Sequence, residues 1–300
     1  MSTYSPPEFP PTVPLETPAV LRALVPAHRY LAELKGLARS IPNEGLLIST
    51  LSLQEAQSSS EIENIITTQD ALYKHQIQPQ NADPVSKEVA HYATALEIGA
   101  RQVRASGLLT LNTILTVQEA LEGNTAGFRK TPGTVLKNQQ SHEVVYTPPS
   151  PESIAGLMGE LEVFIHAESP LDPLVKMALI HHQFETIHPF YDGNGRTGRI
   201  INILYLVKEQ LLDTPILYLS RYISQTKTQY YHGLQQVRDH QEWEPWLVYM
   251  LRGVATTARH TTRLVESIAG LLQRHKQEIR GRYRFYSQDL LNNIFRHPYT

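Results

Sequence analysis

One twelve-residue stretch concentrates the chemistry of this chain: His188-Pro189-Phe190-Tyr191-Asp192-Gly193-Asn194-Gly195-Arg196-Thr197-Gly198-Arg199. It holds a base that is neutral near physiological pH, a carboxylate, two glycines flanking an asparagine, and two arginines. A glycine-rich turn that opens a helix presents unpaired backbone N–H groups and the positive end of the helix dipole. Gly193 and Gly195 let the backbone come close to a ligand. Arg196 and Arg199 are forked cations suited to phosphate oxygens. Asp192 is the hard oxygen ligand that Mg²⁺ prefers, and His188 can act as a general base. The set describes a polyphosphate site with a base at its edge, and its reaction class is phosphoryl or nucleotidyl transfer. Taken singly, a Gly-Asn-Gly is a turn and one histidine is structural. It is their order and spacing that carry the reading.

The elements that must hold this stretch are helices. Leu174, Met177, Ala178, Phe184 and Ile187 precede it at three-, four- and seven-residue steps. Ile200, Ile201, Ile203, Leu204, Leu206 and Val207 follow it as a second apolar helix, opened by Gly195-Arg196.

The stretch resembles the Fic motif, His-x-Phe-x-Asp/Glu-Gly-Asn-Gly-Arg-x-x-Arg, at every defined position, and the resemblance extends from about Ser52 to the end of the chain. It implies an all-α fold, a Fic-type helical bundle with a small β-hairpin flap, and transfer of AMP from ATP to a Ser, Thr or Tyr hydroxyl of a protein. By that resemblance His188 is the catalytic base and Asp192 holds Mg²⁺, with Mn²⁺ as a substitute. Gly193, Asn194, Gly195, Arg196, Thr197, Gly198 and Arg199 bind the nucleotide, and Phe190 packs into the core to fix the loop.

Three further segments gain meaning from the resemblance. Ser58 with Glu61, or Ser60 with Glu63, reads locally as a capping box and hence a helix start. The family pattern Ser/Thr-x-x-x-Glu-Gly/Asn fits Ser59 to Asn64. This implies an N-terminal inhibitory helix at about 58–66, with Ser59, Glu63 and Asn64 as its inhibitory residues and Glu63 paired to Arg199. The β-prone runs Thr134–Leu136 and Val144–Tyr146 read as a hairpin. The resemblance makes it a flap on which Val144, Val145 and Tyr146 register the target segment. Tyr230-Tyr231 with Leu234 matches a segment beside the nucleotide, with Tyr230 against the adenosine and Tyr231 packed inward. Arg238 stands near where some relatives carry an asparagine.

Composition sets outer bounds. The 300 residues carry 41% hydrophobic side chains, a net charge of −2 and no cysteine. A sizeable core is available, disulfide and thiolate chemistry is excluded, and charge gives no support to bulk nucleic-acid binding. No apolar run of membrane-spanning length and no N-terminal signal core is present, so the expectation is a cytoplasmic protein with no membrane partner.

Read in order, residues 1–105 form an N-terminal helical region led by a proline-rich arm, 106–270 the catalytic core, and 271–300 a linker helix with the start of a truncated winged helix. Helices are expected at Val20–Ala38 with a break at Pro26, Glu44–Gln57, from Thr67, Glu88–Arg104, Thr110–Leu121, Pro151–His166, Ile223–Gln236 and Leu247–Ile268. Asp213-Thr214-Pro215 is the expected stop after the motif helix. His181, His182 and Glu185 are read as residues that orient the catalytic loop rather than as a zinc site. The expected partners are ATP, a protein substrate and, through the resemblance, a second copy in a homodimer; DNA is not expected for the segment present. Two other readings stay open: transfer of another nucleotide or removal of AMP, and an ATP-sensing transcription regulator with a winged helix.

Overall fold

The computed structural model describes residues 9–39, 44–78, 80, 83–137 and 143–296. Among these residues the chain forms twelve α-helices and one two-stranded antiparallel hairpin. The first five helices are α1 (Pro18–Ala38), α2 (Glu44–Ile62), α3 (Gln69–Ile77), α4 (Pro84–Ser106) and α5 (Leu111–Glu122). The hairpin strands are β1 (Leu136–Lys137) and β2 (Val144–Tyr146). Then come α6 (Pro151–His166), α7 (Pro173–Ile187), α8 (Asn194–Lys208), α9 (Leu219–Gln225), α10 (Lys227–His240), α11 (Trp243–Arg282) and α12 (Gln288–Arg296).

The helix ends follow local chemistry. Thr17, Thr68, Asp83, Thr110 and Asp172 each accept a backbone N–H at an N-cap, and prolines open α1, α4, α6 and α7. Gly107 and Gly123 end α4 and α5 in the left-handed conformation.

At the centre lie α7 and α8. Every residue of α7 from Leu174 to Ile187 is buried, the mark of a helix packed on all sides. α8 packs against it, α4 and α5 cover α8, and α6 and α11 cover α7. Trp246 of α11 donates its indole N–H to the Ala178 carbonyl at 3.0 Å. One hydrophobic core runs without interruption from Leu15 to Val265, so the N-terminal helices and the motif helices share a single interior. A small satellite cluster of Leu272 and Leu291 seats α12 on the end of α11.

Several boundaries differ from expectation, each for a local reason. α1 does not break at Pro26: Val20, Leu24, Ala27, Leu31 and Leu34 form one buried stripe across it. Burial of the larger side chains is worth roughly 1.5–3 kcal/mol each and outweighs the roughly 3 kcal/mol of an interior proline. α2 does not restart at the serine run. Ser58, Ser59 and Ser60 are buried inside it, so the capping-box reading fails and the segment expected to be inhibitory is the end of α2 with the turn after it rather than a separate helix over 58–66. α4 begins at Pro84, capped by Asp83, not at Glu88.

α8 ends ahead of Asp213, because Gln210 takes φ +56° while its own N–H and that of Leu211 reach back to the Val207 and Leu206 carbonyls. The expected helix Ile223–Gln236 is two helices divided at Thr226, whose hydroxyl donates to the Tyr222 carbonyl. α11 continues past Ile268 to Arg282, and β1 lies at Leu136–Lys137 rather than Thr134–Leu136. Pro6, Pro7, Pro42-Asn43, Pro79 and His297-Pro298-Tyr299 lie outside the described residues.

Candidate active site

His188 is the residue at which α7 stops. Its backbone adopts φ +48°, ψ +60°, and its N–H still reaches the Phe184 carbonyl at 2.9 Å. A left-handed non-glycine residue costs roughly 1–2 kcal/mol, so the surroundings must fix it. Arg129 does much of this. Its Nε donates to the His188 carbonyl at 2.9 Å and its backbone N–H to the Pro189 carbonyl at 2.9 Å. Asn194 does the rest from the start of α8: its Oδ1 accepts the Phe190 N–H at 2.8 Å and its Nδ2 donates to the Phe190 carbonyl at 2.9 Å. The Asn194 amide thus folds the loop. Phe190 is buried against Phe128 and Phe184, which anchors the loop in the core.

The loop then turns at Gly193, φ +74°, and α8 begins at Asn194. Three glycines here mark close approaches rather than mere flexibility. A Cβ on Gly193 would sit 2.2 Å from Glu122 Oε1, one on Gly195 2.4 Å from Glu63 Oε1, and one on Gly198 2.6 Å from Glu185 Oε1. Gly198 is therefore a packing residue between α8 and α7. Thr197 is fully buried, and its backbone N–H closes the turn onto the Gly193 carbonyl at 2.8 Å.

Arg196 and Arg199 are both almost wholly buried. The Glu63 carboxylate bridges them: Oε1 accepts from Arg199 Nη2 at 2.7 Å and Oε2 lies 2.9 Å from Arg196 Nε. The expected Glu63–Arg199 pair is half of this arrangement, and the contact to Arg196 is the half that sequence reasoning missed. Arg199 is also held by Ser59, through its hydroxyl at 2.8 Å and its carbonyl at 2.9 Å. Arg196 meets two further carboxylates, Glu88 at 2.7 Å and Glu122 at 3.1 Å. Neither glutamate belongs to any motif; α4 and α5 bring them in from the helix surfaces that face α8.

The end of α2 explains why the Glu63-Asn64 pair is written as it is. Asn64 takes φ +64°; its N–H donates to the Glu61 carbonyl and the Ile65 N–H to the Ser60 carbonyl, both at 3.0 Å. This is a Schellman termination with asparagine at the left-handed position. It leaves Glu63 in the turn just past Ile62, the last residue of α2, aimed across Gly195. Asn64 Oδ1 in turn accepts from Lys227 at 3.1 Å. A polar seam runs back along the same face of α2 in three-residue steps: Glu61 to Ser224, Ser58 to the Tyr218 hydroxyl, and Glu55 to the Ser220 N–H.

The electrostatics are those of a dry site. Burial, followed by Arg238 and Arg129, holds the His188 imidazole down to about 3, so it is an unprotonated base at neutral pH. Burial pushes Glu185 up to about 7 against the pull of Arg199 and Arg238, and it pushes Glu55 to about 7 against the hydrogen bonds from Ser220 and Tyr92. His181 is held down to about 3 by burial, with Arg199 adding to it; its Nε2 meets the Tyr230 hydroxyl at 2.8 Å. His182 Nε2 faces the Leu234 carbonyl at 3.2 Å. Among the described residues no group of three or more His, Cys, Asp or Glu could hold a metal by itself. Asp192 is 80% exposed at the rim, its Oδ1 accepting the Gly193 N–H at 2.7 Å.

The aromatic pair is turned the other way from expectation. Tyr230 is buried with its hydroxyl on His181, while Tyr231 is 45% exposed. The α10 face carrying Tyr230, Leu234 and Val237 packs inward and sets this orientation. In the hairpin, Val144 and Val145 are exposed, and Tyr146 is buried with its hydroxyl donating to the Thr186 carbonyl at 2.7 Å. The hairpin tip, residues 138–142, lies outside the described residues.

The family model described as Fic/DOC family N-terminal matches residues 21–101, and that of the Fic/DOC family matches residues 108–206. A probable protein adenylyltransferase of Aquifex aeolicus (strain VF5) is 30% identical over 179 residues, covering 58% of this chain and 53% of its own length. The protein adenylyltransferase Fic of Drosophila grimshawi is 30% identical over 129 residues, 42% of this chain and 25% of that protein. The chain thus spans about half the length of the first relative and a quarter of the second. Among solved structures, a Fic family protein from Desulfovibrio desulfuricans G20 superposes with a TM-score of 0.69 at 22% identity, covering 87% of this chain and 77% of that one. Fic-1 from C. elegans does so at 0.62 and 19% identity, covering 84% and 73%. With the two family models together matching residues 21–101 and 108–206, the second of them spanning the motif loop, the chain belongs to the Fic/DOC family.

Proposed function

We propose that the chain is a protein adenylyltransferase that moves AMP from ATP to a hydroxyl side chain of a target protein. One observation carries the reading: an anion already lies in the phosphate nest. The Glu63 carboxylate spans Arg196 and Arg199 over Gly195, at the N-terminus of α8. A site that binds a carboxylate there in forked geometry is built for phosphate oxygens.

In the proposed step the unprotonated His188 removes the proton of the target hydroxyl. The hydroxyl oxygen attacks the α-phosphorus, and pyrophosphate leaves. The α8 N-terminus and the two arginines stabilise the charge on the phosphates, so catalysis is positioning plus electrostatics. Asp192, exposed beside the nest, offers a hard oxygen that fits Mg²⁺; when bound, the ion would neutralise phosphate charge. Asp192 would supply one ligand, and oxygens of the nucleotide and water would supply the others. The exposed strand residues Val144 and Val145 present the target by strand addition. Tyr231, rather than Tyr230, supplies the exposed ring of the α10 pair.

The resting state is inhibited in this reading. Glu63 engages the donors that the γ-phosphate requires on Arg199, while Ser59 holds Arg199 in place and Asn64 fixes the helix end that carries Glu63. Three regions serve the function: residues 1–105 as the inhibitory part, 106–270 as the catalytic core and 271–300 as the C-terminal extension. Among the described residues no helix is long and apolar enough to cross a membrane, in accord with the cytoplasmic setting we propose.

The test uses ATP labelled at the α-phosphate with Mg²⁺. His188→Ala should lose transfer and keep ATP binding, while Glu63→Gly should raise both ATP binding and labelling. Retained labelling in His188→Ala would remove the base from the mechanism. Equal loss of binding and transfer would make His188 structural.

A further inference from the structure

Arg238 lies in α10, outside the motif, yet it contacts three residues of the site. Its guanidinium carbon stands 4.0 Å from the centroid of the Tyr146 ring in β2. Its Nη2 donates to the Glu185 carbonyl at 3.1 Å and its Nε to the Thr186 hydroxyl at 3.4 Å, both in the last turn of α7. Tyr146 closes the triangle, its hydroxyl donating to the Thr186 carbonyl at 2.7 Å. The last carbonyls of a helix lack intrahelical partners, and a cation there also meets the negative end of the dipole. Beside that direct Tyr146–Thr186 bond, the fork therefore fastens the flap strand to the turn whose next residues are Ile187 and His188.

We propose that Arg238 is a positioning residue of the transfer reaction, clamping flap strand β2 to the α7 turn that carries His188, so that a hydroxyl presented on the flap meets a base already in place. The inference rests on the adenylyltransferase reading. Arg129 works from the other side of the same loop, joining the His188 carbonyl to the Pro149 carbonyl at the base of the flap. Where Arg129 fixes the backbone of the base, Arg238 fixes the distance between base and flap. A guanidinium suits this task because its plane stacks on the ring while its edge donates to two acceptors; an ammonium cannot do both.

The experiment compares wild type with Arg238→Met, Arg238→Lys and Tyr146→Phe in two assays. The first is amide hydrogen exchange of the protein alone. Arg238→Met should speed exchange at Tyr146 and around His188 about tenfold, with the amides of α8 and α11 unchanged. The second is transfer of labelled AMP in the Glu63→Gly background. Arg238→Met should lower kcat about 30-fold with ATP affinity within twofold of the parent, the size expected from misplaced reacting groups. Arg238→Lys should recover little of the kcat, since charge without the fork and the stack does not rebuild the clamp. Tyr146→Phe, which keeps the ring and loses one hydrogen bond, should fall between.

Unchanged exchange at β2 in Arg238→Met would overturn the clamp. Faster exchange with normal kcat, or full recovery by lysine, would overturn the positioning role. If the parent itself transfers nothing, the adenylyltransferase reading falls, and the exchange data still decide whether the clamp exists.

Discussion

Asn64 offers the sharpest handle on the proposed inhibited state, because it sets the backbone that aims Glu63 rather than the carboxylate itself. It ends α2 with φ +64°, where a side chain with a Cβ is strained by roughly 1–2 kcal/mol and asparagine is tolerated better than most. Asn64→Ala should add about 1 kcal/mol of strain to the closed end of α2, and Asn64→Val about 2 kcal/mol. The strain is relieved only when the last turn opens and Glu63 leaves the arginines. With the open form scarce, each 1.4 kcal/mol multiplies its population tenfold, so the apparent ATP affinity should rise about 5-fold for alanine and about 30-fold for valine.

Glu63→Gly marks the ceiling. Asn64→Gly keeps the backbone relaxed while losing the Lys227 contact, so it should stay close to wild type. The assay is calorimetric titration of ATP with Mg²⁺, with circular dichroism as a check on the fold. If a folded Asn64→Val protein binds ATP no more tightly than wild type, the termination of α2 does not hold Glu63 in place and the reasoning is refuted.

Two other perturbations test neighbouring parts of the argument. Gly195→Ala should expel Glu63, whose Oε1 lies 2.4 Å from the new methyl position, yet block the nest as well. The expected outcome is a folded protein that fails to bind ATP, unlike Glu63→Gly, and normal ATP affinity would disprove the close approach. Glu55 holds its proton to about pH 7 in the folded chain, above the usual carboxylate range. Its contribution is therefore full below about pH 4.5 and lost as pH rises towards 7, by up to roughly 3 kcal/mol. Glu185 acts in the same direction. Glu55→Gln should flatten the fall in unfolding free energy between pH 5 and 7.5, measured in urea, leaving the Glu185 share; an unchanged slope would clear Glu55 of the effect.

The motif loop was legible because its chemistry is local: His188, Asp192 and the glycines follow one another along the chain, and the apolar spacing on either side makes two helices. The Glu63–Arg199 contact could be read from a short pattern by family resemblance. The capping-box pattern misled at Ser58 and Ser60, because a capping box and a buried serine face look alike until the packing is known; here Ser58 meets Tyr218, 160 residues away, and the neighbouring Ser59 meets Arg199, 140 residues away. Glu88, Glu122 and the grip of Arg238 on Tyr146 depend on which helix surfaces meet, and no local spacing encodes that. Tyr230 and Tyr231 were exchanged for the same reason, since adjacent helix positions differ by about 100° and only packing chooses the inner one.

Glu63 is also a resident counter-ion. Two guanidinium groups are almost wholly buried at the head of α8, and an isolated buried charge costs several kcal/mol. Arg196 would keep Glu88 and Glu122 without Glu63, whereas Arg199 would keep only the neutral oxygens of Ser59 among its hydrogen-bond partners in the site. In the proposed reading the chain can thus fold before it meets nucleotide, because Glu63 stands in for the phosphate. Freed of that substitute, a more active variant would depend on nucleotide for part of its stability, and ATP would raise its melting temperature further than that of the parent.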